Sequence, residues 1–162
     1  MAEKKNKNIV GCVLIGAAIG IVGIMLIGIM AAIAIPAFLR YIKATKVVES
    51  EMMISRIENA VQTSFTSECK FPASASSSAI PKGGAKVIPD FSGAGWKAIG
   101  FSDASPLYFR YRIVNKGDTL ELIADADFST SNVEAHTYTK ILTKGADCTL
   151  TSSPGRIDNE FL

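Results

Sequence analysis

The chain has 162 residues, enough for one modest domain and an anchor. Lys and Arg number 17 against 15 Asp and Glu, a net charge of +2. That balance excludes the basic surface a nucleic-acid-binding protein needs, so no nucleic-acid partner is expected. The 48% hydrophobic content is inflated by one stretch near the N-terminus.

The first eight residues carry Lys4, Lys5 and Lys7 against Glu3, which the positive-inside tendency keeps cytoplasmic. From Ile9 to Leu39 no side chain is charged. About 20 apolar residues cross a bilayer core as a helix, and the run has residues to spare. It has no polar stripe, so a membrane-inserted helix over 9–39 is expected, with the lipid bilayer as its first partner. A cleaved signal peptide fits poorly, because its apolar region spans only about 7–15 residues. Cys12 ends an IVGC stretch similar to a lipoprotein box, but no apolar region precedes it, so lipidation is not expected. Gly16, Gly20, Gly23, Gly28, Ala31 and Ala32 are small residues at spacings that let helices approach closely. Pro36 removes one helical hydrogen bond, which makes Gly28 to Pro36 the weakest part of the helix.

The stretch GIMAAIAIPAFLRYI, Gly28 to Ile42, resembles the N-terminal helix of type IV pilins and pseudopilins. Gly28, Ala31, Ala32, Ile33, Ala34, Ile35, Pro36, Ala37 and Phe38 carry the likeness. The resemblance implies a pilin-like α+β fold, with a long transmembrane helix packed on an antiparallel sheet. It also implies assembly with like subunits through that helix, into a homo-oligomer or filament, and contact with pilus or secretion assembly machinery. Counted back from Pro36, the family's processing glycine falls on Leu14 and its helix glutamate on Ile19. Neither Gly11 nor Gly16 is followed by an aromatic residue. The family's glutamate pairs with a neighbouring subunit's free N-terminus, and a buried amine without that partner is costly. The chain is therefore expected to escape the usual cleavage and keep its charged tail. Arg40, Lys43 and Lys46 on the far side leave the charge argument undecided. The resemblance settles it as a single pass through the bacterial inner membrane. The N-terminus is then cytoplasmic and the head periplasmic, or displayed on a cell-surface filament.

After Pro36 the pattern turns amphipathic and predicts helix to about Thr66. Phe38, Ile42, Val48, Met52, Ile57, Val61 and Phe65 form its expected apolar stripe, and Met52, Met53 and Ile54 are expected in the core. Arg40, Lys43, Lys46, Glu49, Arg56 and Glu58 read as a solvated face. Glu68 to Gly95 reads as a loop, with Pro72, Pro81 and Pro89, Gly83-Gly84, and the run Ser76-Ser77-Ser78. The serines suit a low-complexity linker or, less simply, acceptors for O-linked sugar. No phosphate-loop signature follows Gly83-Gly84.

Trp96 to Phe101 predicts a short turn carrying core aromatics. Leu107 to Val114 alternates, with Leu107, Phe109, Tyr111 and Ile113 on one face and Tyr108, Arg110, Arg112 and Val114 on the other. Asn115 to Asp118 predicts a hairpin loop, Thr119 to Ala126 and Val133 to Leu142 two further strands, and Cys148 to Thr151 a fourth at the edge. The fold expected is α+β, with a sheet of 3–4 strands packed by one face on the helix. The segments WKAIGF, PLYFRY, ADAD and NEF also resemble heads of deltaproteobacterial pilin-like proteins, through Trp96, Phe101, Tyr108, Phe109, Tyr111, Asn159, Glu160 and Phe161. The organisation is then a tail at 1–8, an apolar helix half at 9–39, an amphipathic half at 40–66 and a head at 67–162.

Cys69 and Cys148 flank the head, as a disulfide if it is exported or as two free thiols in a reducing compartment. Their spacing does not suit zinc. Asp125, Asp127, Ser129 and Ser131 alternate as calcium ligands do, but the central glycine is missing and Glu134 comes too early. Asp125 and Asp127 stand only as weak metal candidates. Arg110 and Arg112 read as salt-bridged or solvated. His136 is the single histidine, expected exposed on a strand, and no serine lies in a nucleophile elbow. No enzyme and no cofactor are expected. The expected function is a structural subunit of a type IV pilus-like or type II secretion pseudopilus filament. The alternative is a membrane-anchored pilin-like accessory or binding module that is neither processed nor polymerised.

Overall fold

A computed structural model describes residues 2–128 and 136–158, with side chains from Gly16 onward except Arg40, Lys43 and Ala44. The chain divides into two units, Met1–Ile42 and Lys43–Leu162. Helix α1 runs Ala2–Glu68 with Pro36 inside it. In the first unit, the described segment Gly16–Leu39 has 24 residues, a mean hydropathy of 2.7 and nothing buried. It is long and apolar enough to cross a bilayer.

The second unit is α+β. After α1 come β1 (Ala75–Ser76), α2 (Ala94–Ala98), β2 (Arg110–Asn115), β3 (Thr119–Ala126), β4 (His136–Lys144), β5 (Leu150–Ser152) and β6 (Arg156–Asp158). The sheet is antiparallel and six-stranded, in the order β1-β2-β3-β4-β5, with β6 also paired to β4. A tight hairpin sets the β2–β3 register of Asn115 on Leu120. Gly117 takes φ +89° there, a conformation glycine reaches without a Cβ penalty. Its N–H donates to the Asn115 side-chain oxygen at 2.8 Å.

One face of the sheet packs on α1. Met53, Ile54, Ile57 and Val61 from the helix join Phe109, Tyr111, Ile113, Leu120, Leu122, Ala124 and Leu142 in one core. The helical residues recur three to four apart and the strand residues two apart, so each set shares one face. Phe91, Trp96 and Phe101 close one end, with ring centroids 4.9 to 5.9 Å apart. The expected turn at Trp96 is the short helix α2. Gly95 lets it approach, because a Cβ there would lie 2.2 Å from the Ala73 carbonyl oxygen.

Several expectations need correction. Among the described residues the sheet has six strands, not three to four. The two unexpected strands, β1 and β6, are two and three residues long, too short to show a period. The third strand's expected start at Val133 lies outside the described residues, and its described part runs on to Lys144. The expected edge strand sits two residues later, at β5. The Glu68 to Gly95 segment is partly built into the head. Ser77 is buried there. Its hydroxyl accepts the Tyr111 N–H at 3.0 Å and its own N–H donates to the Tyr111 carbonyl at 2.9 Å.

The C-terminal part of the expected helix stripe is buried: Ile57, Val61 and Phe65, with Met53 and Ile54 beside them, face the core. Phe38, Val48 and Met52 are exposed instead, Met52 by 63%, while Val47 and Ser50 turn inward. Ser50 belongs there because its hydroxyl donates to the Val47 carbonyl at 2.7 Å, which removes the cost of an unpaired polar group.

Candidate functional site

In the first unit the apolar side chains of Gly16–Leu39 are exposed, as Ile24 (72% exposed) and Ile33 (71%) illustrate. At Gly16, Gly20, Gly23 and Gly28 an added Cβ would meet nothing within 4 Å. Among the described residues nothing fills the space beside these glycines, which leaves room for another helix backbone. Ala31 is half-buried and Ala32 exposed, and Pro36 lies within the helix. Ile19 is a large exposed apolar side chain.

In the second unit the charges of α1 meet the head, which corrects the expected solvated face. Glu58 is buried and accepts from the Lys140 ammonium at 2.5 Å. Arg56 donates to Asp103 at 2.7 Å, and Asp103 also accepts the Ser105 N–H at 2.7 Å. Those contacts hold the Asp103 carboxyl below its usual range, led by the Ser105 N–H. Lys46 lies over the rings of Tyr108 and Phe128, at 4.5 and 4.9 Å from their centroids. Glu49 accepts the Tyr108 N–H at 2.7 Å. Burial pushes its carboxyl up, outweighing that bond and the charge of Lys86. The neighbouring Tyr111 hydroxyl is fully buried beside Glu49. Its burial, then the Glu49 charge, push its ionisation up.

On the opposite face of the sheet, Asp125 receives Arg110 at 2.8 and 3.1 Å, Arg112 at 2.7 and 3.2 Å and the Thr137 hydroxyl at 3.3 Å. Burial opposes its charged form, but the guanidiniums of Arg112 and Arg110 outweigh burial and hold the carboxyl below the usual aspartate range. Both oxygens are thus occupied by protein cations. Among the described residues, no group of three His, Cys, Asp or Glu gathers as metal ligands would. Ser129, Ser131 and Glu134 lie outside the described residues. His136 is half-buried rather than exposed, with its ring stacked on Phe128 at 5.9 Å.

Cys69 and Cys148 are joined in a disulfide with Cα atoms 5.3 Å apart. It ties the residue after α1 to the loop between β4 and β5. Lys144 adds a bond from its ammonium to the Cys69 carbonyl at 3.0 Å. The side chain of Cys12, and Asn159, Glu160 and Phe161, lie outside the described residues.

An open depression of about 620 Å³ is lined by Phe91, Ser92, Lys97, Phe101 and Asp103 among others. Its one carboxylate is already bonded to Arg56, and its Lys97 acts on Asp90.

Sequence signals could have found the head contacts of Glu49, Arg56 and Glu58 only through pairing partners 47 to 82 positions away. No family model, no curated protein and no solved structure matches this chain.

Proposed function

We propose that the chain is a structural subunit of a type IV pilus-like or type II secretion pseudopilus filament, anchored in the bacterial inner membrane before assembly. The observation that carries this reading is Gly16–Leu39: an apolar helix with none of its window buried among the described residues, open glycines along it, and the Gly28 to Phe38 block resembling pilins. Such a helix in water would expose a continuous apolar surface, so it requires lipid or other helices around it. A bilayer supplies the first. Close approach at Gly16, Gly20 and Gly23 supplies the second. The head, stapled by Cys69–Cys148, suits an oxidising compartment and a part that must survive outside the membrane.

A second reading is favoured by Leu14 and Ile19, which occupy the positions of the family's processing glycine and glutamate. In it the chain stays in the membrane as an anchored accessory or binding module.

The test is the mass and N-terminal sequence of the protein in its native membranes and in the sheared surface fraction. A terminus cleaved near Gly11 or Gly16 and found in the sheared fraction supports the filament subunit. A terminus at Met1 or Ala2, confined to membranes, supports the anchored module.

A further inference from the structure

Among the described residues, two that are not glycine take a positive φ, and they are the two halves of one disulfide: Cys69 at +53° and Cys148 at +54°. That left-handed region crowds the Cβ of any L-residue, and glycine is the residue that enters it freely. Cys69 follows the last residue of α1, and its N–H donates to the Phe65 carbonyl at 2.8 Å. Helices commonly end there on a left-handed glycine. Cys148 lies in the tight loop between β4 and β5, which the Gly145 N–H closes on the Thr149 carbonyl at 2.8 Å. Each end of the bridge therefore holds a glycine-like position with a side chain that disfavours it.

The segment that the bridge ties down is lightly packed. β5 has three residues, of which Thr151 and Ser152 are exposed. Of residues 145–152, Leu150 alone packs against the hydrophobic core, and it is half-buried. The Lys144 ammonium on the Cys69 carbonyl, at 3.0 Å, is a second tie to the end of α1. All the buried members of the core precede Cys148 in the chain. A segment with so few buried contacts opens locally, at less cost than the core around it. Cys148 is exposed and Cys69 half-buried, so a thiolate reaches the bridge from the Cys148 side.

We infer that Cys69–Cys148 is a redox switch within the folded head, opened by a dithiol reductant, and that opening releases the loop 145–149 and β5 from the end of α1. The reductant's first thiolate attacks the Cys148 sulfur. The S–S bond breaks, and Cys69 leaves as a thiolate that takes up a proton. The reductant's second thiolate then displaces Cys148 from the mixed disulfide, and Cys148 takes up the second proton. Two electrons pass to the cysteines, and the reductant ends as a disulfide. Both cysteines are then free to leave the left-handed region, so opening changes the backbone as well as a covalent link. The switch involves the head alone and is independent of whether the chain polymerises.

The test uses the full chain in phosphatidylcholine vesicles, with Cys12→Ser so that the bridge supplies every thiol counted. Dithiothreitol is the dithiol, and the readouts are thiol alkylation, Trp96 emission and amide hydrogen exchange read by mass spectrometry. The expected opening rate is first order in dithiothreitol, with the emission of the buried Trp96 unchanged. Exchange over 145–152 should become at least about tenfold faster while 109–113 and 120–124 stay protected. A rate independent of dithiothreitol, a Trp96 shift that accompanies opening, or unchanged exchange over 145–152 overturns the inference. The backbone argument has its own check in two bridge-free variants. Cys69→Gly/Cys148→Gly should exchange over 145–152 at least about threefold more slowly than Cys69→Ala/Cys148→Ala, because glycine keeps the left-handed turns. Equal exchange in the two, or slower exchange in the alanine variant, overturns it.

Discussion

Glu58 on α1 and Lys140 on β4 meet at 2.5 Å across 82 positions of sequence, in a contact where their side chains are only 9% and 19% exposed. The pair ties the helix to the middle of the sheet. Removing one partner leaves the other charge with little water. Glu58→Ala is expected to cost about 3 kcal/mol in urea denaturation. The double replacement Glu58→Met/Lys140→Met should recover most of that loss, because apolar side chains of similar size remove both charges together.

Asp125 gives the head an acid-sensitive element. Its folded carboxyl is held below the usual aspartate range, so its contribution is present in full above the unfolded value of about 3.9. It is lost as pH falls through the lower folded value. The part of the urea midpoint that Asp125 supplies, read as the difference from Asp125→Asn, should be flat from neutral pH downward and then fall below about pH 4. Asp125→Asn should cost about 2 kcal/mol at neutral pH, since Arg110 and Arg112 can still turn toward water, and should remove this part of the acid dependence.

Glu49 works in the opposite direction. Burial raises its folded carboxyl above the usual range, so the folded state favours the protonated form. Stability from this group is present at low pH and is lost as pH rises through the raised value. Glu49→Gln keeps an oxygen for the Tyr108 N–H and should raise the melting temperature at pH 7, by an amount that shrinks toward acid pH. A lower melting temperature at pH 7 would contradict this account of the site.

The Cys69–Cys148 bridge closes a loop with a sequence separation of 79. Constraining an unfolded loop of that length stabilises the fold by about 4 kcal/mol. Cys69→Ser/Cys148→Ser should shift the urea midpoint accordingly. Dithiothreitol should do the same to the natural chain and have no effect on the double variant.

Close packing at α2 supplies a fifth stability test. Gly95→Ala brings a methyl group to 2.2 Å from the Ala73 carbonyl oxygen, and backbone on both sides limits relief. Overpacking of this kind costs about 1–3 kcal/mol, read by the Trp96 emission during unfolding.

The hydropathy pattern made the α+β class, the apolar helix and the central hairpin legible, because each depends on local periods. Residues Leu107 to Ile113 alternate cleanly, and the buried set Leu107, Phe109, Tyr111 and Ile113 is the one that alternation selects. What escaped was set by distant contacts. Ser77 reads as linker until Tyr111 meets it in space. Met53, Ile54 and Ile57 are buried as their pattern predicts, whereas Val48 and Met52 read as core because the helix offers a second apolar stripe, which only the position of the sheet leaves outside. The charges of α1 looked solvated for the same reason, since their partners lie in the sheet and its loops. The span of Gly16–Leu39 is legible from composition alone, whereas what packs on it depends on molecules other than this chain.

The central claim is that this helix assembles with copies of itself. The most direct measurement is energy transfer between donor- and acceptor-labelled full chains, mixed at low density in lipid vesicles. The account predicts transfer above the random-collision level, abolished by Gly16→Ile/Gly20→Ile, which fills the open surface of the helix. Transfer at the random-collision level in the natural chain, or transfer untouched by those substitutions, would contradict it.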